Sequence, residues 1–146
     1  MATRQEIQVA WDLIKFINII NDLLDTSVPL VRGQIKITDN LTKEGRDMTV
    51  DEIKNALKQV CQNIYRYKKV ILNFLDISKN NQLAINGLAA WGINLDNTKK
   101  ELLDMLMVTD YLNTEVEKAV TLDKFKKLAD YIDINVPKLP LIRKTK

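Results

Sequence analysis

Glu101 with Asp104 and Asp130 with Asp133 are two pairs of carboxylates placed one helical turn apart, the spacing that brings side chains together on one helix face. Two acids held this way can act as an acid and base in hydrolysis or bind a hard cation through oxygen alone. Little else in the chain supports such chemistry. Histidine is absent from all 146 residues. That removes Ser-His-Asp and Cys-His nucleophiles, histidine metal sites and the commonest general base near neutral pH. The four glycines, at 33, 45, 87 and 92, match neither standard spacing of a phosphate-cradling loop. Acid pairs on helices are ordinarily solvated surface, so no catalytic activity, cofactor or metal is expected.

Cys61 is the single cysteine, so no disulfide can form within the chain, and a reducing compartment is the simpler setting. It falls on an apolar helix face and reads as a small core residue rather than a reactive thiol.

Charge offers a second kind of chemistry. Net charge is only +3, but residues 53 to 79 hold six cations against Asp76, net +5, leaving −2 for the rest. Lys54, Lys58, Tyr65 and Lys69 project onto one helical stripe, Lys68 lies beside it and Arg66 points away. Lys54 and Lys58 repel at i, i+4 with no acid on the same stripe. A solvated face explains these residues without a ligand. The alternative is a phosphate-binding strip, joined by Arg143, Lys144 and Lys146 of the tail, although only Tyr65 accompanies the lysines as a stacking platform.

A third candidate is apolar. Leu103, Met107 and Tyr111 recur at i, i+4, i+8, about half a turn from the other apolar seam of their helix. Two apolar stripes require two packing partners. Either another helix of this chain covers the second stripe, or it docks a separate subunit.

These residues need elements to position them. Low Gly and Pro content, with 46% apolar and 28% charged residues, favours long helices in a globular protein. Thr3 with Glu6 forms a Thr-x-x-Glu capping box that opens a helix over residues 4 to 25. Its apolar arc, including Trp11, Ile14, Phe16 and Ile20, is wider than one neighbour needs, so this helix is central or faces a partner. Residues 26 to 47 read as a long connection containing a short strand at 34 to 38, with Ile35 and Ile37 alternating against polar neighbours. No second strand is convincing in the sequence. The C-terminal segment or another molecule is the expected pairing partner.

Thr49 and Glu52 form a second box, followed by a helix to about residue 78. Its seam of Ile53, Leu57, Val60, Ile64, Tyr67, Ile71 and Phe74 steps by four and three. A short helix near 82 to 91 closes at Gly92. Thr98 with Glu101 reads as a third box opening a helix to about 120, and Thr121 caps a last helix to about 132. The prolines of "NVPKLPLIRKTK" then end helical structure and suggest an extended strap carrying Leu139 and Leu141.

The expected fold is an all-α bundle of three long helices and one or two short ones, a helical domain over 1 to 135 with a basic tail over 136 to 146. The first 24 residues contain Asp12, Lys15 and Asp22, which argues against a signal peptide or a membrane span. A cytoplasmic or virion location is expected. The functional expectation is a non-catalytic structural or interaction subunit with protein partners, self or different, using Leu103, Met107, Tyr111, Ile35, Ile37, Leu139 and Leu141. Abundant Lys, Asn and Ile are what an AT-rich genome yields, and a small helical chain without chemistry from such a genome suits a bacteriophage structural component. Association with nucleic acid is the alternative.

Overall fold

In the computed structural model, residues 2–38, 44–77 and 79–137 are described. Five helices, α1 (Arg4–Val31), α2 (Val50–Asp76), α3 (Asn80–Ala89), α4 (Leu95–Glu115) and α5 (Leu122–Asn135), carry the fold. A hairpin of β1 (Lys36–Thr38) and β2 (Gly45–Asp47) lies between the first two. The expected helical bundle is present, and no described helix is long and apolar enough to cross a membrane.

Both first capping boxes form as the sequence spacing requires. The Thr3 hydroxyl accepts from the Glu6 amide at 3.1 Å while the Glu6 carboxylate accepts from the Thr3 amide at 2.7 Å. Thr49 and Glu52 repeat the arrangement at 3.2 and 3.0 Å. Each box satisfies two amides that a helix start leaves without partners.

α1 continues past the expected end at residue 25 and carries Pro29 inside it. A mid-helix proline costs about 3 kcal/mol. Burial offsets it: Leu30 and Val31 go into the core, each contributing roughly 1.5–3 kcal/mol. Gly33, at φ +73°, then closes the helix. Its amide donates to the Leu30 carbonyl at 3.1 Å, and that of Gln34 donates to Pro29 at 2.9 Å, a Schellman closure.

The connection that follows is therefore shorter than expected, and its strand has a partner in its own chain. β1 pairs antiparallel with β2 in the register Lys36↔Asp47, Ile37↔Arg46 and Thr38↔Gly45. All three β2 residues are exposed, so β2 has no apolar alternation to reveal it. Backbone bonds and the Lys36–Asp47 ion pair at 3.0 Å hold it instead.

α1 is the central helix, packing against α2, α3, α4 and α5. Its wide apolar arc is divided among these neighbours, with Leu13, Ile17, Ile20 and Leu24 essentially sealed. Phe16 meets Phe74 of α2 edge to face with centroids 5.7 Å apart. The α2 seam points inward through Ile53, Leu57, Ile64 and Ile71, and Cys61 is buried beside it. Trp11 and Trp91 are both half-buried.

α3 crosses α1 at Gly87, where a Cβ would lie 2.1 Å from the Glu6 carbonyl oxygen and 2.7 Å from the Ala10 Cβ. Gly87 is thus a helix-interior residue required by close backbone approach. At the far end of α3, Gly92 adopts φ +70° and Ile93 folds back to donate to the Leu88 carbonyl at 3.0 Å.

The expected third box does not open α4. Asn94 caps it, accepting from the Asp96 amide at 2.7 Å. Leu95 and Thr98 are buried, which draws the helix start one turn earlier, and the Thr98 hydroxyl donates to the Asn94 carbonyl at 3.2 Å. α4 also stops earlier, at Glu115, because Val116 and Ala119 turn into the core. Thr121 caps α5 as its sequence position indicates, accepting from Lys124 at 3.4 Å. The strap segment with Leu139 and Leu141, and the tail cations Arg143, Lys144 and Lys146, lie outside the described residues.

Candidate interaction face

α2 and α4 run antiparallel, and three contacts fix their alignment. Lys58 pairs with Glu117 just beyond the end of α4, the Tyr65 hydroxyl donates to Asp110, and Cys61 Sγ lies 3.9 Å from the Thr109 carbonyl oxygen. Farther along, Leu72 comes level with Leu103 and Asp76 with Lys99, and these residues line one shared groove of about 490 Å³.

Ile71 and Leu102 form the buried floor of this groove. Its walls are open: Leu72 is 47% exposed, Leu103 58% and Met107 60%. The second stripe of α4 is therefore left uncovered by the described residues along most of its length. Tyr111, 40% exposed, is the exception, since its ring stacks on Tyr131 of α5 with centroids 4.0 Å apart. Leu72 carries no signal of its own in the sequence. Its place beside Leu103 depends on the α2–α4 alignment, which no single-helix projection contains.

Four charges stand at the corners of the groove: Lys68 and Asp76 on α2, Asp110 and Lys99 on α4. Lys68 and Asp110 share one end, Asp76 and Lys99 the other. Only Asp110 has a polar partner among the described residues, the Tyr65 hydroxyl. Burial first, and the Asp110 carboxylate second, push the Tyr65 phenol above its ordinary range, so it remains a neutral donor.

The basic stripe divides into two parts. Lys54 and Lys58 have a counterion after all: Glu117 binds Lys58 and stands 3.8 Å from Lys54, whose ammonium also donates to the Glu117 carbonyl at 3.4 Å. The Lys58 hydrogen bond leads the causes that hold the Glu117 carboxyl below its usual range. With Tyr65 engaged by Asp110, three members of the stripe are committed within the chain. Arg66 and Lys69 face solvent, and Lys68 is half-buried at the groove.

One of the two acid pairs is likewise engaged within the chain. Asp130 and Asp133 clasp the Arg32 guanidinium at 3.3 and 2.5 Å, joining α5 to the end of α1. Partial burial, followed by Asp104, raises the Glu101 carboxyl. Among the described residues no three of His, Cys, Asp and Glu come together as a metal site. Cys61 is sealed in the core, and burial pushes its thiol up to about 11.

In the hairpin Ile35 is exposed and Ile37 half-buried opposite Arg46, apart from the α2–α4 groove. Comparison with protein families, curated proteins and solved structures finds no match to this chain.

Proposed function

We infer that this chain is a non-catalytic interaction subunit that docks other protein through the α2–α4 face. One observation carries the reading: Leu72, Leu103 and Met107 stand exposed together around an apolar groove, while α1, the helix with the widest apolar arc, is covered by its own chain. An apolar face bordered by charged residues is the anatomy of a contact surface. The Lys, Asn and Ile bias supports the narrower reading of a bacteriophage structural component.

Nucleic-acid association is the competing reading. It draws on Arg66, Lys68 and Lys69 with the tail cations, and loses force because Lys54 and Lys58 already have Glu117. Binding to single- or double-stranded DNA at low salt that falls steeply as salt rises would favour it.

The docking reading is tested with a photo-crosslinking amino acid at position 103, introduced into the full chain in its native cell. A discrete cross-linked protein product is expected from position 103 and not from position 126, exposed on α5. Equal or absent products from both positions would contradict it.

A further inference from the structure

We propose that the occupant of the α2–α4 face is a second copy of this chain, related by a two-fold axis parallel to the two helices. The inference rests on the docking reading above and adds the identity of the partner. Its ground is the arrangement of charge at the groove corners.

Lysine and aspartate alternate around the groove: Lys68 of α2 and Asp110 of α4 line one end, and Asp76 of α2 and Lys99 of α4 line the other. Lys68, Asp76 and Lys99 form no ion pair with another described side chain, so their charge is available to a partner. A surface that meets itself across a two-fold axis must present complementary groups at positions the axis exchanges. An axis parallel to the helices places α2 of one copy over α4 of the other. Lys68 then meets Asp110 of the second copy, and Asp76 meets its Lys99. Each contact occurs twice, and no corner meets its own sign.

The apolar centre obeys the same operation. Leu72 lies level with Leu103 on the opposite helix, so the exchange sets each Leu72 against Leu103 and Met107 of the other copy. Paired helices in this arrangement also run antiparallel, as α2 and α4 already do within the chain. An axis perpendicular to the helices would match the charges as well, but it sets Lys68 on Asp76 and Lys99 on Asp110, and stacks α2 on α2. The two geometries respond oppositely to one double substitution.

Sedimentation velocity over a wide concentration range is the readout, using the full chain. Reversible dimerisation of the wild type is expected. Lys99→Glu puts two acids together at symmetric places and is expected to weaken the dimer about tenfold, since close charge pairs govern specificity at such rims. Adding Asp76→Lys to Lys99→Glu restores the pair with its sign reversed, and dimerisation should return toward the wild-type level. Both positions are at the surface, and circular dichroism checks that each variant remains folded. A wild type that stays monomeric at every concentration, or a double variant no stronger than Lys99→Glu, would overturn the proposal. The cross-link from position 103 separates this outcome from failure of the docking reading: a product with a different protein leaves docking intact and removes self-association, and no product removes both.

Discussion

Gly87→Ala opposes two forces of known sign. Alanine in a helix interior is favoured over glycine by about 1 kcal/mol, so local propensity alone expects the variant to be more stable. Packing expects the reverse. The added Cβ would lie 2.1 Å from the Glu6 carbonyl oxygen, where ordinary contact begins at 3.4 Å. α3 must therefore retreat from α1 by about 1.3 Å. The obstruction is backbone, which cannot rotate aside as a long side chain can. Retreat loosens Ala10, Ala84 and Leu88, all fully buried, and pulls on the Asn86 amide, which donates to the Glu6 carboxylate at 2.6 Å. Overpacking of a closed interior costs roughly 1–3 kcal/mol, occasionally more, and this contact belongs at the upper end. After the propensity gain, a net loss of about 2 kcal/mol is expected. Urea unfolding followed by circular dichroism should show a lower midpoint with an unchanged slope. A midpoint equal to or above wild type would refute the close crossing of α1 and α3.

Glu52 gives a pH prediction. The Arg46 guanidinium first, and the Thr49 amide next, lower its carboxyl from 4.5 to about 2. A carboxylate with a depressed folded value contributes stability above its unfolded value, and loses it as pH falls through the folded one. Glu52→Gln should therefore be less stable than wild type near neutrality, with the difference shrinking from about pH 4.5 toward pH 2; a difference constant with pH would contradict this. Cys61, with its thiol pushed up to about 11, should label with a thiol reagent at pH 8 only as fast as the chain opens. Rapid labelling of the folded protein would contradict its burial. Met107→Lys should change folding stability by less than about 0.5 kcal/mol, as exposed substitutions do, while abolishing the cross-link from position 103. A large loss of stability would show that Met107 supports the fold.

The sequence made the helices legible where signals were local. Thr3, Thr49 and Thr121 cap the helices that their positions indicate, and the α2 seam buries Ile53, Leu57, Ile64 and Ile71 along one face, with Val60, Tyr67 and Phe74 half-buried beside them. Elsewhere tertiary burial overrides the local signal. Thr98 with Glu101 has the spacing of a start, yet burial of Leu95 and Thr98 moves the cap to Asn94. Pro29 looks like a stop, yet Leu30 and Val31 carry α1 through it. β2 is not legible, because a strand exposed at all three residues has no periodic signature. Glu117 was invisible as a counterion because it reaches Lys54 and Lys58 from another element. The exposed half of the candidate face was readable on α4 as a second stripe, but its α2 half, Leu72, became visible only once the two helices were aligned.

The four methionines supply the most direct measurement of the central claim, that the α2–α4 face is a covered contact surface in the working state. Met107 is 60% exposed, and Met105, two residues away, is fully buried, so one helix carries both the probe and its internal reference. Thioether oxidation by dilute peroxide, read by mass spectrometry, should be fast at Met107 and slow at Met105 in dilute purified chain. In intact source cells, oxidation of Met107 should fall toward that of Met105. Unchanged oxidation of Met107 in the two settings would show that nothing covers the face and would contradict the account.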